Sequence, residues 1–566
     1  MADEYYSENE GHGAGEPDRF SQENHAAAQQ LPQPVKNFLL RLQAALSSAN
    51  VNDLAYVYER QFPHLTNEFF REEEWPRPEV ASIVVGGDDV LLTFYRELYF
   101  RHLYSRLSTN IDIYDRFDSY ENYCSLFNYI LNSQAPVPVE LPTQWLWDII
   151  DEFVWQFGSF AAWRSRPWDR TADEASMLAE SPEIWSSYSV LNVLYSLIQK
   201  SKVSDILRIS REGGDTEQIS EDEYASKPLY RMLGYFSILG LLRVHVLLGD
   251  YTLALKTLDD IDLRTMAGAS TRFHSVHSAH VTVFYYVGFA YIQMQRYADA
   301  IEFLTRGINH FGRFKRWTTA ADQVSKQVDR MVALVSMAHA LSPSVRLDDW
   351  IKQGVQDKYG DQHSRMLRGG QQAEDVFSEL FMWSCPKFVA ANPPPYGDKE
   401  AMDLISNGSE KTKAMLDPTY HHHKIFMASI RPMLAAPDFR SFLKLHTTLD
   451  ANKLAGLMKR DTEAMWEELA VMKGGMRGVQ WTGGMSLVDG EEVGSENADI
   501  CVGVDGETIE ITEAKKSRAT ADYFIRHAQK TREQLEQIRN RPVYTPTAAS
   551  VSPTTVAAAP KTVAWA

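Results

Sequence analysis

Two stretches decide the fold: DTEAMWEELAVMKGG at residues 461–475 and ICVGVDGETIEIT at residues 500–512. In the first, Met465, Trp466, Leu469 and Met472 recur at helical spacing. Asp461 stands where an N-cap would, with an acidic first turn after it, and Gly474-Gly475 stops the run. In the second, Ile500, Val502 and Val504 alternate, Asp505-Gly506 supplies a turn, and Ile509 and Ile511 alternate again. That is a β-hairpin pattern. Upstream, Phe439-Arg440-Ser441-Phe442-Leu443-Lys444-Leu445 ends one helix. Leu454, Leu457 and Met458 form the apolar side of the next, and Lys459-Arg460-Asp461 turns the chain. Helix, turn, helix and β-ribbon over residues 438–512 is the order of a winged helix.

A winged helix can read DNA or bind protein, and charge discriminates between the two. Asp461, Glu463, Glu467 and Glu468 face only Lys473, which leaves the second helix at a net charge of −3. Phosphates would repel that helix from a major groove. The module therefore reads as a protein-interaction wing.

The whole chain agrees. Its 566 residues are 44% apolar and 11% aromatic, enough for large cores and about three or four domains by length. With 57 Lys and Arg against 75 Asp and Glu, the net charge of −18 argues against a bulk nucleic-acid coat. Cys124, Cys385 and Cys501 are odd in number and far apart, so neither a disulfide framework nor a zinc pattern follows, and a reducing compartment fits. The polar, acidic start and the lack of a long uncharged apolar run lead us to expect no signal peptide and no membrane span.

In chain order, residues 1–33 are acidic and polar and read as a disordered tail. From Pro34 apolar stripes repeat at helical spacing: Phe38, Leu39, Leu42 and Leu46; Leu91, Leu92, Tyr95, Leu98, Tyr99 and Leu103; Trp145, Ile149, Phe153, Phe157 and Phe160; Val190, Leu191, Leu194 and Leu197. Gly288-x-x-Tyr291 followed by Arg296-Tyr297-x-x-Ala300 has the register of a tetratricopeptide repeat, in which small residues let antiparallel helices approach. Gly249-Asp250-Tyr251-x-x-Ala254 repeats its second half at a longer spacing, so the array is degenerate. The fold expected is mostly α: a tetratricopeptide-like array over 34–305, then 306–512 with the winged helix at 438–512. A basic amphipathic helix at 513–541 and a disordered tail at 542–566 complete the chain.

Lys515 to Arg541 is basic, and Phe524, Ala528, Thr531, Leu535 and Ile538 recur at alternating four and three, a coiled-coil seam. That seam is a candidate partner-binding site. Lys515, Lys516, Arg518, Arg526 and Lys530 are candidate RNA contacts; a solvated capping helix is the bland alternative. His421-His422-His423 reads as a solvated cluster, because consecutive side chains on a helix diverge. His274-x-x-His277-x-x-His280 drifts around its helix with no carboxylate or cysteine at ligand spacing, so no metal ligand is assigned. No phosphate-binding glycine loop, nucleophile elbow or His-Glu-x-x-His occurs, and neither a catalytic residue nor a cofactor is expected. Asp499 with Glu513-Ala514-Lys515 resembles the Mg²⁺ and lysine constellation of metal-dependent nucleases. A solvated strand end running into a basic helix explains the same residues without a βαβ core.

Helical repeats running into a winged helix resemble the PCI architecture of scaffold subunits in the proteasome lid, the signalosome and initiation factor 3. Residues 97–104, 122–132, 144–153, 232–237, 247–251, 285–291 and 440–445 are similar to the subunit L family of eukaryotic translation initiation factor 3. The resemblance spans 34–541 and is weak across 386–436. It implies a noncatalytic cytoplasmic subunit of a complex that binds the small ribosomal subunit and recruits initiator tRNA and mRNA. It also implies pairing with the K component of that factor and docking near its E component, through wing edges and a shared bundle of C-terminal helices.

Overall fold

The apolar stripes fold as packed helices. The computed structural model describes residues 17–106, 111–212, 222–261, 263, 276–314, 321–343, 345–409, 413–414, 416–475, 478–483, 486–493, 500–513 and 519–539. Two compact units divide the chain, Met1–Thr512 and Glu513–Ala566. In the larger unit one continuous apolar core runs from Val35 to Ile430. All five aromatic and aliphatic residues of the 145–160 stripe are buried on helix Thr143–Arg164. Full burial of such a side chain contributes about 1.5–3 kcal/mol. Trp145 stacks on Tyr58, with ring centroids 4.8 Å apart, and donates its indole N–H to Glu97 at 3.0 Å.

Helix Pro228–Leu248 packs on Thr143–Arg164 and Ser187–Ser201. It is long and apolar enough to cross a membrane, yet 83% of its apolar window is buried within the protein, as befits a central core helix. Gly249 ends it at φ +85°, a left-handed position that favours glycine, and Asp250 caps Tyr251–Lys256 by accepting the Leu253 N–H at 3.1 Å.

The repeat register describes a real helical hairpin. Helices His277–Gln293 and Tyr297–Phe314 run antiparallel in close contact, with the latter packed on Ala321–Leu341. A Cβ on Gly288 would overlap Leu304, and one on Gly307 would lie 2.7 Å from Phe284 Cβ. The small residues are what let the two backbones approach. The 305/306 boundary falls within helix Tyr297–Phe314.

The wing has its own core of Phe439, Leu443, Leu454, Met465, Leu469, Met472, Ile500, Val502, Ile509 and Ile511. Helices Ala436–Leu443, Ala451–Met458 and Thr462–Gly475 cover a sheet of order β1-β5-β4, with β1 Thr448–Asp450, β4 Ile500–Asp505 and β5 Thr508–Glu513. β1 pairs antiparallel with β5, Leu449 opposite Ile509. Gly506, at φ +59°, turns the hairpin. Two details differ from the sequence reading. Leu457 is half exposed, and so is Val504, near the turn end of the outer strand β4. Strand β1 is three residues long, too short for alternation to reveal it.

Residues 478–483 and 486–493 leave the wing altogether. They form the small antiparallel pair β2 Gly478–Gln480 and β3 Glu491–Val493, and their Leu487, Val488 and Trp481 join the helical-array core. Part of the expected N-terminal tail is helical as well. Pro17–Gln30 forms a helix packed on Pro78–Val85, with Ala28 buried and Gln29 C=O accepting from Lys36 Nζ at 2.9 Å. Proline at the first position and a run of alanines favour that helix over coil.

Candidate interaction surface

Each part of the wing surface follows from its core. Burying Met465, Leu469 and Met472 at helical spacing turns Glu463 and Glu467 outward, so the recognition-type helix presents carboxylates to solvent. Arg460, in the turn before it, pairs with Glu468 and reaches Asp438 at 3.8 Å, which ties the helix to Ala436–Leu443. Lys459, at φ 55°, makes that turn. Val471 on the same helix and Leu457 and Leu445 on the segments before it are exposed as well, Leu445 at 75%. Strand β4 is the last in its sheet among the described residues, so one side of its ladder faces no further strand. An acidic helix face and an open strand edge on one module suit a protein partner better than a phosphate backbone.

The second unit offers helix Ala519–Arg539. At 21 residues it is about 31 Å long. Phe524, Leu535 and Ile538 are exposed at 66%, 48% and 69%, and Ala528 and Thr531 of the seam are exposed with them. Tyr523 and Ile525 widen the apolar stripe at its start. Arg526, Lys530, Arg532 and Arg539 are exposed on the same helix. Lys515, Lys516 and Arg518 lie outside the described residues, as do Asp499 and Lys515 of the nuclease-like pattern; Glu513 ends β5.

A groove of about 940 Å³ is lined by Glu121, Cys124, Asn128, Lys200, Asp222 and Tyr224, among others. Cys124 is exposed, yet desolvation in the groove raises its thiol above its ordinary value, which disfavours a nucleophilic thiolate. The three consecutive histidines diverge, as consecutive side chains on a helix must, and His421 is exposed whereas His422 and His423 are partly buried. His422 stacks on Phe388 and hydrogen-bonds Tyr251 Oη at 3.2 Å, and burial pushes it down to about 4. His423 meets Ser378 Oγ at 2.9 Å. His274 lies outside the described residues, whereas His277 and His280 face His310 of the neighbouring helix, a partner that linear spacing within one helix could not reveal.

Comparison with known proteins follows the same lines. A family model described as Paf67, RNA polymerase I-associated factor PAF67, matches residues 115–531. The chain is similar to a protein of Mycosarcoma maydis named eukaryotic translation initiation factor 3 subunit L. The two are 44% identical over 517 residues, 91% of this chain and 75% of that protein. Proteins of the same name from Danio rerio and Homo sapiens are 38% and 39% identical, over 88% and 86% of this chain and 83% and 84% of their own lengths.

Proposed function

Because the chain belongs to the eukaryotic translation initiation factor 3 subunit L family, we propose that it acts as a noncatalytic scaffold subunit of that factor. In this reading the assembled factor binds the small ribosomal subunit and promotes recruitment of initiator tRNA and mRNA in the cytoplasm. The chain supplies surfaces to that assembly and needs no cofactor. The observation that carries the proposal is the exposed apolar stripe of helix Ala519–Arg539, Phe524, Leu535 and Ile538 above all. Such a seam gains stability when it packs into a bundle with partner helices. The open edge of β4 and the acidic helix face of the same module form the second contact. The K and E components of the factor are the partners that the family resemblance implies.

The experiment is affinity purification of the full chain from cytosol, compared with Leu535→Asp plus Ile538→Asp. Wild type should recover other initiation factor components and small-subunit ribosomal material, and the variant should lose them while keeping its helical circular dichroism. Unchanged recovery would remove the seam from the interface. Recovery of RNA polymerase I components instead would favour the association that the family model's description names. If Arg526 and Lys530 touch RNA directly, the purified chain alone should bind it with a steep salt dependence that Arg526→Glu flattens.

A further inference from the structure

The helical hairpin His277–Gln293 and Tyr297–Phe314 brings three histidines together. His277 and His280 lie on the first turn of helix His277–Gln293, one helical step apart and on one side. His310 lies near the end of helix Tyr297–Phe314. Because the helices run antiparallel at the close approach set by Gly288 and Gly307, His310 falls beside His280. One ring nitrogen from each of the three residues lies within 4.8 Å of the other two. His280 Nδ1 and His310 Nε2 are 3.2 Å apart.

That separation fits an N–H···N hydrogen bond between neutral rings, and it fits two ligands of one metal ion equally well. A tetrahedral Zn²⁺ with nitrogens at about 2.0–2.1 Å places those nitrogens about 3.3 Å from one another. Only His277 stands further off. It is only partly buried, at the rim of the site, while His280 and His310 are buried. Three neutral imidazoles select borderline ions, with Zn²⁺ the most available, over Mg²⁺ or Ca²⁺. The helix ends are balanced: the positive end of one and the negative end of the other meet here, so the backbone field neither repels nor attracts a cation strongly. We propose that His277, His280 and His310 form a Zn²⁺ site, completed by a water molecule, that staples this helical hairpin.

The test uses the untagged full chain, stripped with a chelator and desalted. Titrated with Co²⁺, it should develop the visible absorption bands of tetrahedral Co²⁺, saturating at one equivalent and abolished by Zn²⁺. Zn²⁺ should raise its Tm by a few degrees. His310→Gln should abolish the bands while keeping the circular dichroism of the metal-free wild type. If His310→Gln fails to fold, His277→Gln at the partly buried rim should lower Co²⁺ affinity at least tenfold. His339→Gln, which alters a separate histidine pair with His363, should leave binding unchanged. Wild type with neither bands nor a Tm rise would overturn the proposal and leave a hydrogen-bonded histidine cluster. Bands lost in His339→Gln and kept in His310→Gln would overturn it too.

Discussion

The most informative single residues are polar groups placed inside an apolar array. Glu97 is 1% exposed, yet it accepts the Trp145 indole N–H and pairs with Arg101 one turn on. Arg101 also donates to Tyr58 and lies 3.7 Å from Asp148. One guanidinium thus serves several acids. Burial raises Glu152 to about 7 and Asp148 to about 6, against the lowering effect of Arg101. A carboxyl whose folded pKa lies above its unfolded value of 4.5 binds its proton more tightly when folded. Its contribution to stability is complete below that value and is lost as pH rises through about 7. Glu152→Gln can still accept the Gln156 amide N–H, held at 3.0 Å in the wild type. Its Tm relative to wild type should therefore climb between pH 5 and 7.5, by roughly one or two degrees, as followed by scanning calorimetry. A difference that stays flat with pH would show that Glu152 is ionised in the fold.

Among elements, the 478–493 arm is the least expected. It lies between a wing helix and a wing strand in sequence but is held by the helical hairpin. Tyr291 Oη donates to Leu487 C=O at 2.8 Å, and Arg296 Nη1 to Val488 C=O at 2.7 Å. Asp299, fully buried, accepts Arg296 Nε at 2.7 Å and the Trp481 N–H at 3.0 Å. Trp481 packs on Phe303 with centroids 5.2 Å apart. A residue placed on Gly490 would lie 2.7 Å from Gln480 C=O and crowd Arg296, so glycine fits where the arm closes on itself. Asp299→Ala leaves the Arg296 charge buried with its carboxylate partner gone, a loss of about 3–5 kcal/mol. Limited proteolysis should then cut within 478–493, where the wild type resists. An arm that stays resistant would mean that the Tyr291 and Arg296 contacts suffice without Asp299.

At the scale of the molecule, the described residues of the larger unit form two apolar cores. The extended one joins helices from Val35 to Ile430, and the smaller lies wholly in the wing and the helix end before it. Separate cores can open separately. Leu469, 1% exposed, belongs to the small one. Leu469→Ala should cost about 2–5 kcal/mol there. Amide exchange should accelerate across 436–475 and 500–512 while helix Pro228–Leu248 keeps its protection. Uniform acceleration across both regions would show that the cores unfold as one. The same variant should weaken recovery of other initiation factor components if the wing is a docking surface.

Local pattern by itself determined much of this protein. The 3.6-residue stripes placed the helices, Gly288 and the residues around it gave the close hairpin, and the order helix, turn, helix, Asp505-Gly506 hairpin gave the wing. These features rest on contacts within a few residues along the chain, where periodicity reports which face is buried. The tertiary structure alone decided where segments far apart in sequence meet. It carried the arm to Asp299, set His310 against His277 and His280, turned His422 and His423 inward, and left Leu457 in solvent. Such pairings depend on how closely two backbones can pack and on which distant donor satisfies a buried acceptor. Neither quantity has a period, so no local reading of the chain contains it.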